Sequence, residues 1–265
     1  MGFSGYDAGA VITSRANARV KQLRAAFAGQ ARLASGLIAI EGEHLVQEAL
    51  ASGLALKTVF VSERRSTPEF VPESVETLRL AQDVFQSCVE TQTPQGIAAL
   101  LVPPVSTAGQ MLNGTPLILI AVGLQDPGNL GTLIRSAEAF GATGVLSTPG
   151  TVSAWNQRAL RASAGSVFRV PLAMAGPGEM AELEQHAVQI FAAMPAGAEP
   201  VDAVDLTGPA ALLIGNEGAG LSDDWLRLAD ARVTIPCPGY VESLNAAVAG
   251  SLLLYEASRQ RRSIR

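Results

Sequence analysis

Two segments near the C-terminal end decide the fold: Ala211–Leu221, ALLIGNEGAGL, and Ala231–Arg261, ARVTIPCPGYVESLNAAVAGSLLLYEASRQR. The first is an apolar strand ending in a glycine-rich turn that carries a single carboxylate, Glu217. The second is a strand ending in Pro, Gly, Ser and Asn ahead of a long helix from Leu244 to about Arg262. Further back, Gln125–Ala142, QDPGNLGTLIRSAEAFGA, supplies a third loop of this kind before a helix from Asn129 to Phe140 that Gly141 closes. Three strand-end loops rich in small residues and short of nucleophiles fit a site that grips its ligand with main-chain groups and does its chemistry on bound substrates.

Strands and helices alternate on either side of these loops. Segments such as LILIAVGL (Leu117–Leu124) and ALLIGNE are apolar throughout, which predicts a parallel sheet covered on both faces by helices. SVFRVPLA (Ser166–Ala173) reads as a further strand. Upstream, Pro103-Pro104 and the Pro, Gly and Ser-rich stretch to Pro116 read as a linker, giving domains at 1–105 and 117–265 joined by 106–116. The first domain also alternates. Ser14 is a candidate cap for a helix through Asn17 to Phe27, whose basic residues Arg15, Arg19 and Lys21 lie largely opposite Val20, Leu23 and Phe27.

A chain of 265 residues with 48% hydrophobic content can bury a sizeable core. Cys88, Cys237, His44 and His186 are too widely spaced for a metal-ligand pattern, so neither a structural metal nor a disulfide framework is expected, and the compartment is read as reducing and cytoplasmic. No apolar run is long enough to cross a bilayer, and the first residues lack the pattern of a signal peptide. The formal net charge of −5 argues against indiscriminate polyanion binding. Its distribution is uneven. Arg15, Arg19, Lys21, Arg24 and Arg32 face only Asp7 in residues 1–35, and Arg259, Arg261, Arg262 and Arg265 face only Glu256 at the other end. Two basic ends on an acidic body can grip a phosphate backbone locally.

Arg135, one turn into a helix, sits where the dipole disfavours a cation, which is more easily explained if it meets a phosphate or an activated oxygen. Glu217 among glycines can bind a hydroxyl or anchor an arginine, and Ser243 and Asn245 offer polar groups at a helix start. Neither a dinucleotide fingerprint nor a P-loop is present.

Taken in order, Asn129–Gly141 (NxGxxxRxAxAFG), Ile214–Leu221 (IGNEGxGL) and Ile235–Asn245 (IPxxGxxESLN) resemble the three motifs of the SpoU family of SPOUT trefoil-knot RNA 2′-O-methyltransferases. The resemblance continues through RASAGSVFRVP (Arg161–Pro171) and, more loosely, through IEGEHLVQEAL (Ile40–Leu50) and TPQGIAAL (Thr93–Leu100), which are similar to an L30e-like substrate domain. It implies an α/β chain in which a small L30e-like domain precedes a parallel-sheet SPOUT domain with a deep C-terminal knot. It also implies S-adenosylmethionine as cofactor, held at Gly215, Ile235, Leu244, Gly218 and Pro236, and a homodimer built through the C-terminal domain. Arg135 matches the family's arginine at the reacting hydroxyl, and Asn129, Glu217, Ser243 and Asn245 match its supporting polar residues. Arg15, Arg19, Lys21 and Arg24 are the expected RNA contacts, 23S rRNA the expected substrate, and no metal or membrane is implied. The alternatives are a tRNA 2′-O-methyltransferase and a non-catalytic RNA-binding protein that keeps the fold. Cys237 stands where the family commonly has methionine.

Overall fold

In a computed structural model, which describes residues 10–29 and 36–263, the chain separates into two units, Met1–Pro104 and Val105–Arg265. Asp7, Arg32 and Arg265, which enter the charge argument, lie outside the described residues. The first unit contains β1 (Val11–Ile12), α1 (Ala18–Phe27), β2 (Ile38–Glu41), α2 (Glu43–Ala51), β3 (Leu56–Ser62), β4 (Thr77–Leu80), α3 (Gln82–Gln86) and β5 (Ile97–Leu101). Its five-stranded sheet runs β1-β4-β3-β5-β2, with β5 antiparallel to both neighbours and the remaining pairs parallel. Helix α1 turns Val20, Leu23, Ala26 and Phe27 into the core with Phe60, Leu80 and Phe85. Its cap is Asn17 and not Ser14: Asn17 Oδ1 accepts from the Arg19 N–H at 2.8 Å, while the Ser14 hydroxyl is spent on Ala16 in the preceding turn.

The basic face of α1 is largely neutralised inside this unit. Arg19 forks onto the Glu76 carboxylate at 2.7 and 2.8 Å, and Glu76 also accepts from Thr58. Arg15, which the sequence placed on this helix but which lies in the turn before it, pairs with Asp83 at 3.3 Å, and Arg24 donates to the carbonyl and hydroxyl of Ser87. Lys21 is exposed, with no ion pair among the described residues. Exposed pairs of this kind are worth at most about 1 kcal/mol each, so a phosphate can compete for the same arginines.

The second unit contains α4 (Ala108–Met111), β6 (Leu117–Ala121), α5 (Pro127–Ala139), β7 (Gly144–Ser147), α6 (Gln157–Ser163), β8 (Leu172–Met174), α7 (Pro177–Gln185), β9 (Gln189–Met194), β10 (Glu199–Pro200), β11 (Ala210–Ile214), α8 (Asp223–Leu228), β12 (Ala231–Thr234) and α9 (Ala246–Arg262). Its seven strands order as β10-β12-β9-β11-β6-β7-β8, every pair parallel. Every residue of β6 and β11 is buried, as apolar strands without alternation require. Two sequence expectations change here. The stretch read as a linker holds α4, whose Ala108 and Met111 are buried in the second unit's core because a capping box at Thr107 starts a helical turn. The stretch read as one strand from Ser166 is a 3₁₀ turn over Ser166–Phe168, and only Leu172–Met174 pairs, after Pro171. No helix among the described residues is long and apolar enough to cross a membrane.

The basic C-terminal end also has a structural use. Arg259 forks onto Glu256, and the half-buried Arg261 donates from Nε to Leu206 O at 2.9 Å, from Nη1 to Thr115 O at 3.0 Å and from Nη2 to Pro116 O at 2.9 Å, with a further bond to Gly208 O. Those carbonyls lie just ahead of β6 and β11, so one guanidinium clasps the end of α9 to the starts of two central strands. Burial pulls its pKa below the ordinary guanidinium value, yet a guanidinium stays charged at neutral pH. Arg261→Ala is expected to lower stability by about 3 kcal/mol, since four carbonyls lose charge-assisted bonds, two of them part-buried. Arg261→Lys should recover only part of this, because an ammonium lacks the planar fork. Urea unfolding monitored by circular dichroism measures both, and an unchanged midpoint for the alanine variant would refute the clasp.

Candidate active site

The loop after β6 shows how α5 is started and what that releases. Asp126, and not Asn129, is the cap: its Oδ1 accepts from the Asn129 N–H at 3.0 Å, and Pro127 occupies the first turn, where no N–H is needed. Arg135 therefore lies two turns into the helix rather than one, and the dipole argument drawn from the sequence does not apply to it. With capping done by Asp126, the Asn129 side chain is free to reach across to other loops. Gly131 lets α6 approach α5 closely: a Cβ there would lie 2.4 Å from the Ala159 carbonyl and 2.7 Å from Ala162 Cβ.

After β11 the chain doubles back on itself. Asn216 and Gly220 exchange backbone hydrogen bonds at 3.1 and 3.0 Å, and a Cβ on Gly215 would lie 2.5 Å from the Gly220 carbonyl carbon, so the turn closes only with glycine there. Asn216 shapes the turn, donating to Gly123 O at 2.8 Å and accepting from the N–H groups of Gly218 and Ala219. This presents Glu217 to the first loop. Its carboxylate accepts from Asn129 Nδ2 at 2.9 Å and from the backbone N–H groups of Gln125 and Asp126, both at 3.3 Å.

The third loop joins through Asn245. Its Oδ1 caps α9 by accepting from Ala247 and Val248, and its Nδ2 donates to Asn129 Oδ1 at 3.0 Å. Asn129 thus bridges Glu217 and Asn245, and one chain of side chains stitches all three loops together. Burial pushes the Glu217 carboxyl up, but the hydrogen bonds from Asn129 and the backbone N–H groups outweigh it and leave the pKa below its ordinary 4.5. The stabilisation from this network is therefore fully present above that ordinary value and lost as pH falls through the depressed one.

Behind the network lies a cavity of about 700 Å³. Gly215, Gly218, Ile235, Pro236 and Leu244 all line it, as do Glu217, Ser243 and Asn245. Arg135 does not line it; exposed on α5, it has no ion pair or side-chain hydrogen bond among the described residues. Arg15, Arg19, Lys21 and Arg24 belong to the other unit. Sequence reasoning missed Asp126, Asn216 and the Met194–Gly197 wall of the cavity. The wall did carry a signal, a Pro and Gly turn directly after an apolar strand. Among the described residues no group of three or more His, Cys, Asp or Glu side chains is placed to hold a metal ion.

Residues 116–255 match the SpoU rRNA Methylase family, and residues 17–99 match the MRM3-like substrate binding domain. The 23S rRNA (guanosine(2553)-2′-O)-methyltransferase RlmP of Bacillus subtilis is 34% identical over 245 residues, covering 92% of this chain and 97% of that protein. The 23S rRNA (uridine(2479)-2′-O)-methyltransferase of Streptomyces viridochromogenes is 32% identical, over 94% of this chain and 92% of its own length. The crystal structure of the SpoU methyltransferase AviRb from the same organism, in complex with the cofactor AdoMet, superposes with a TM-score of 0.83 at 31% identity, over 93% of this chain and 99% of that one. With its parallel sheet, its three stitched loops and these matches along both units, the chain belongs to the SpoU rRNA methylase family.

Proposed function

We propose that this chain transfers the methyl group of S-adenosylmethionine to a ribose 2′-hydroxyl of RNA, with 23S rRNA as the substrate. The observation that carries the reading is the Asn129–Glu217–Asn245 network on the wall of the glycine-lined cavity. The residues present fit the cofactor: about 700 Å³ suits a ligand of that size, and Gly215, Gly218, Ile235, Pro236 and Leu244 would hold it largely through main-chain groups. When bound, it supplies a methyl group already activated on a sulfonium. The protein has to align the hydroxyl, help remove its proton and stabilise charge on the oxygen.

Arg135 is assigned to that oxygen. A guanidinium is fully protonated at neutral pH, so it stabilises negative charge and does not accept the proton. Three N–H donors already occupy the Glu217 carboxylate, which suits it to fixing the loops rather than to acting as a base. The Ser243 hydroxyl has no hydrogen-bond partner among the described residues and sits in the cavity wall, where it can meet the substrate ribose.

The same reading assigns residues 1–105 to RNA binding, with Arg15, Arg19, Lys21 and Arg24 as contacts, and residues 117–265 to catalysis through a C-terminal trefoil knot. It makes the enzyme a homodimer joined through α9, whose Val248, Leu252 and Tyr255 stand 47%, 41% and 43% exposed on one face. Its place of action is the compartment that holds the ribosome, the cytoplasm in a bacterium.

Incubation of the purified protein with radiolabelled S-adenosylmethionine and unmodified 23S rRNA should place label on a ribose, with unmodified tRNA left unlabelled. Sedimentation of the same sample should show a dimer. A fragment of residues 105–265 should still bind the cofactor while methylating 23S rRNA at least about tenfold less efficiently, having lost the basic contacts of the first unit. Absence of label on any RNA would overturn the catalytic reading, and label on tRNA alone would overturn the substrate.

A further inference from the structure

Aromatic side chains in the second unit are almost all accounted for by packing. Tyr255 meets Phe140 edge-on at 5.7 Å, Trp155 stacks on Phe168 at 6.5 Å, Phe191 is buried, and Trp225 packs on the core. Tyr240 is different. It is fully exposed, at 110% of its reference area, and its neighbour Val241 is 61% exposed. An aromatic and a β-branched side chain adjacent in sequence and both open to water have an apolar cost that nothing among the described residues offsets.

Their position gives them a use. Val241 to Asn245 line the cavity, so Tyr240 is the residue at which this wall leaves the pocket. It precedes Ser243 by three residues, which limits the Cα separation to about 11 Å. Pro236 and Pro238 stiffen the same loop on its other side. A ribose can present its 2′-hydroxyl here only if its nucleotide leaves the stack of an RNA helix, and unstacked bases in protein complexes are commonly received on aromatic faces.

We propose that Tyr240 is a stacking platform for a nucleobase of the RNA substrate, holding the target nucleotide or its immediate neighbour while the ribose lies beside Ser243 at the cavity. This rests on the reading that the substrate is RNA. Stacking needs only a π-face, so Tyr240 adds residence at the site without choosing among bases, and its phenol oxygen is dispensable.

The test compares Tyr240→Ala, Tyr240→Leu, Tyr240→Phe and Tyr240→Trp. Transfer to 23S rRNA should fall roughly ten- to hundredfold in kcat/KM for the alanine and leucine variants, chiefly through KM. Phenylalanine and tryptophan should restore it, and affinity for S-adenosylmethionine and sedimentation should be unchanged in all four. Tryptophan at this position gives a readout that needs no turnover: its added fluorescence should be quenched by single-stranded oligouridylate and not by S-adenosylmethionine. Wild-type kcat/KM in the alanine variant, leucine as effective as phenylalanine, absence of quenching, or loss of the dimer on alanine substitution would each overturn the proposal. The last outcome would show that a second copy of the chain covers the ring. Failure of the wild-type protein to label any RNA, with quenching by oligouridylate intact, would instead count against the methyl-transfer reading alone.

Discussion

Arg135→Ala is expected to reduce methyl transfer by roughly 100-fold or more, because removing one preorganised charge-stabilising group from a reacting oxygen typically costs that much. The fold should not register the change. Arg135 is exposed and holds no partner among the described residues, so its removal leaves no buried group unsatisfied. Affinity for S-adenosylmethionine should stay within a few-fold, since the cavity is lined by other residues. Arg135→Lys should recover only part of the rate, as a point charge cannot reproduce a planar fork of donors. Single-turnover transfer beside calorimetric cofactor binding separates the two quantities. Near wild-type turnover in the alanine variant would remove Arg135 from the chemistry.

Glu217→Gln should fail in a different way. The carboxylate only accepts, and it faces three donors: the Asn129 amide and the N–H groups of Gln125 and Asp126. A glutamine places an NH₂ against at least one of them, so one hydrogen bond becomes a donor–donor clash costing about 1–3 kcal/mol. The turn that carries Glu217 is also a wall of the cavity, so cofactor affinity and turnover should fall together, each by about tenfold or more. Glu217→Ala should be at least as severe. If the glutamine variant binds cofactor and turns over like the wild type, the three-donor arrangement is not what holds the loops.

Much of this was legible in the sequence because the signals are local. Apolar runs without alternation announced β6 and β11, and glycine clusters directly after them announced the loops. What escaped was decided at a distance. Asp126 and Asn129 are both good caps, and the choice between them turns on Glu217, 88 residues further along. The arginines in and just before α1 read as a free cationic face because Glu76 is 57 residues from Arg19 and Asp83 is 68 from Arg15. Arg261 looks like any arginine of a fraying tail until four carbonyls converge on it. Met111 sits in a stretch whose prolines, serines and glycines suggest a linker, and only the core beneath it shows otherwise.

The stitching of the loops has a consequence for how the protein comes into being. The bond from Asn245 to Asn129 spans 116 residues, and the one from Arg261 to Thr115 spans 146. Contacts so far apart in sequence require large loops to close before any reward is collected, which makes them late and slow to form. A chain emerging from the ribosome can complete its first unit and the contiguous strands β6 to β8 while still lacking the third wall of the cavity and the clasp. Competence to bind cofactor should therefore appear only after Arg261 has been released, and a nascent chain halted before that point should be structured yet unable to retain the methyl donor.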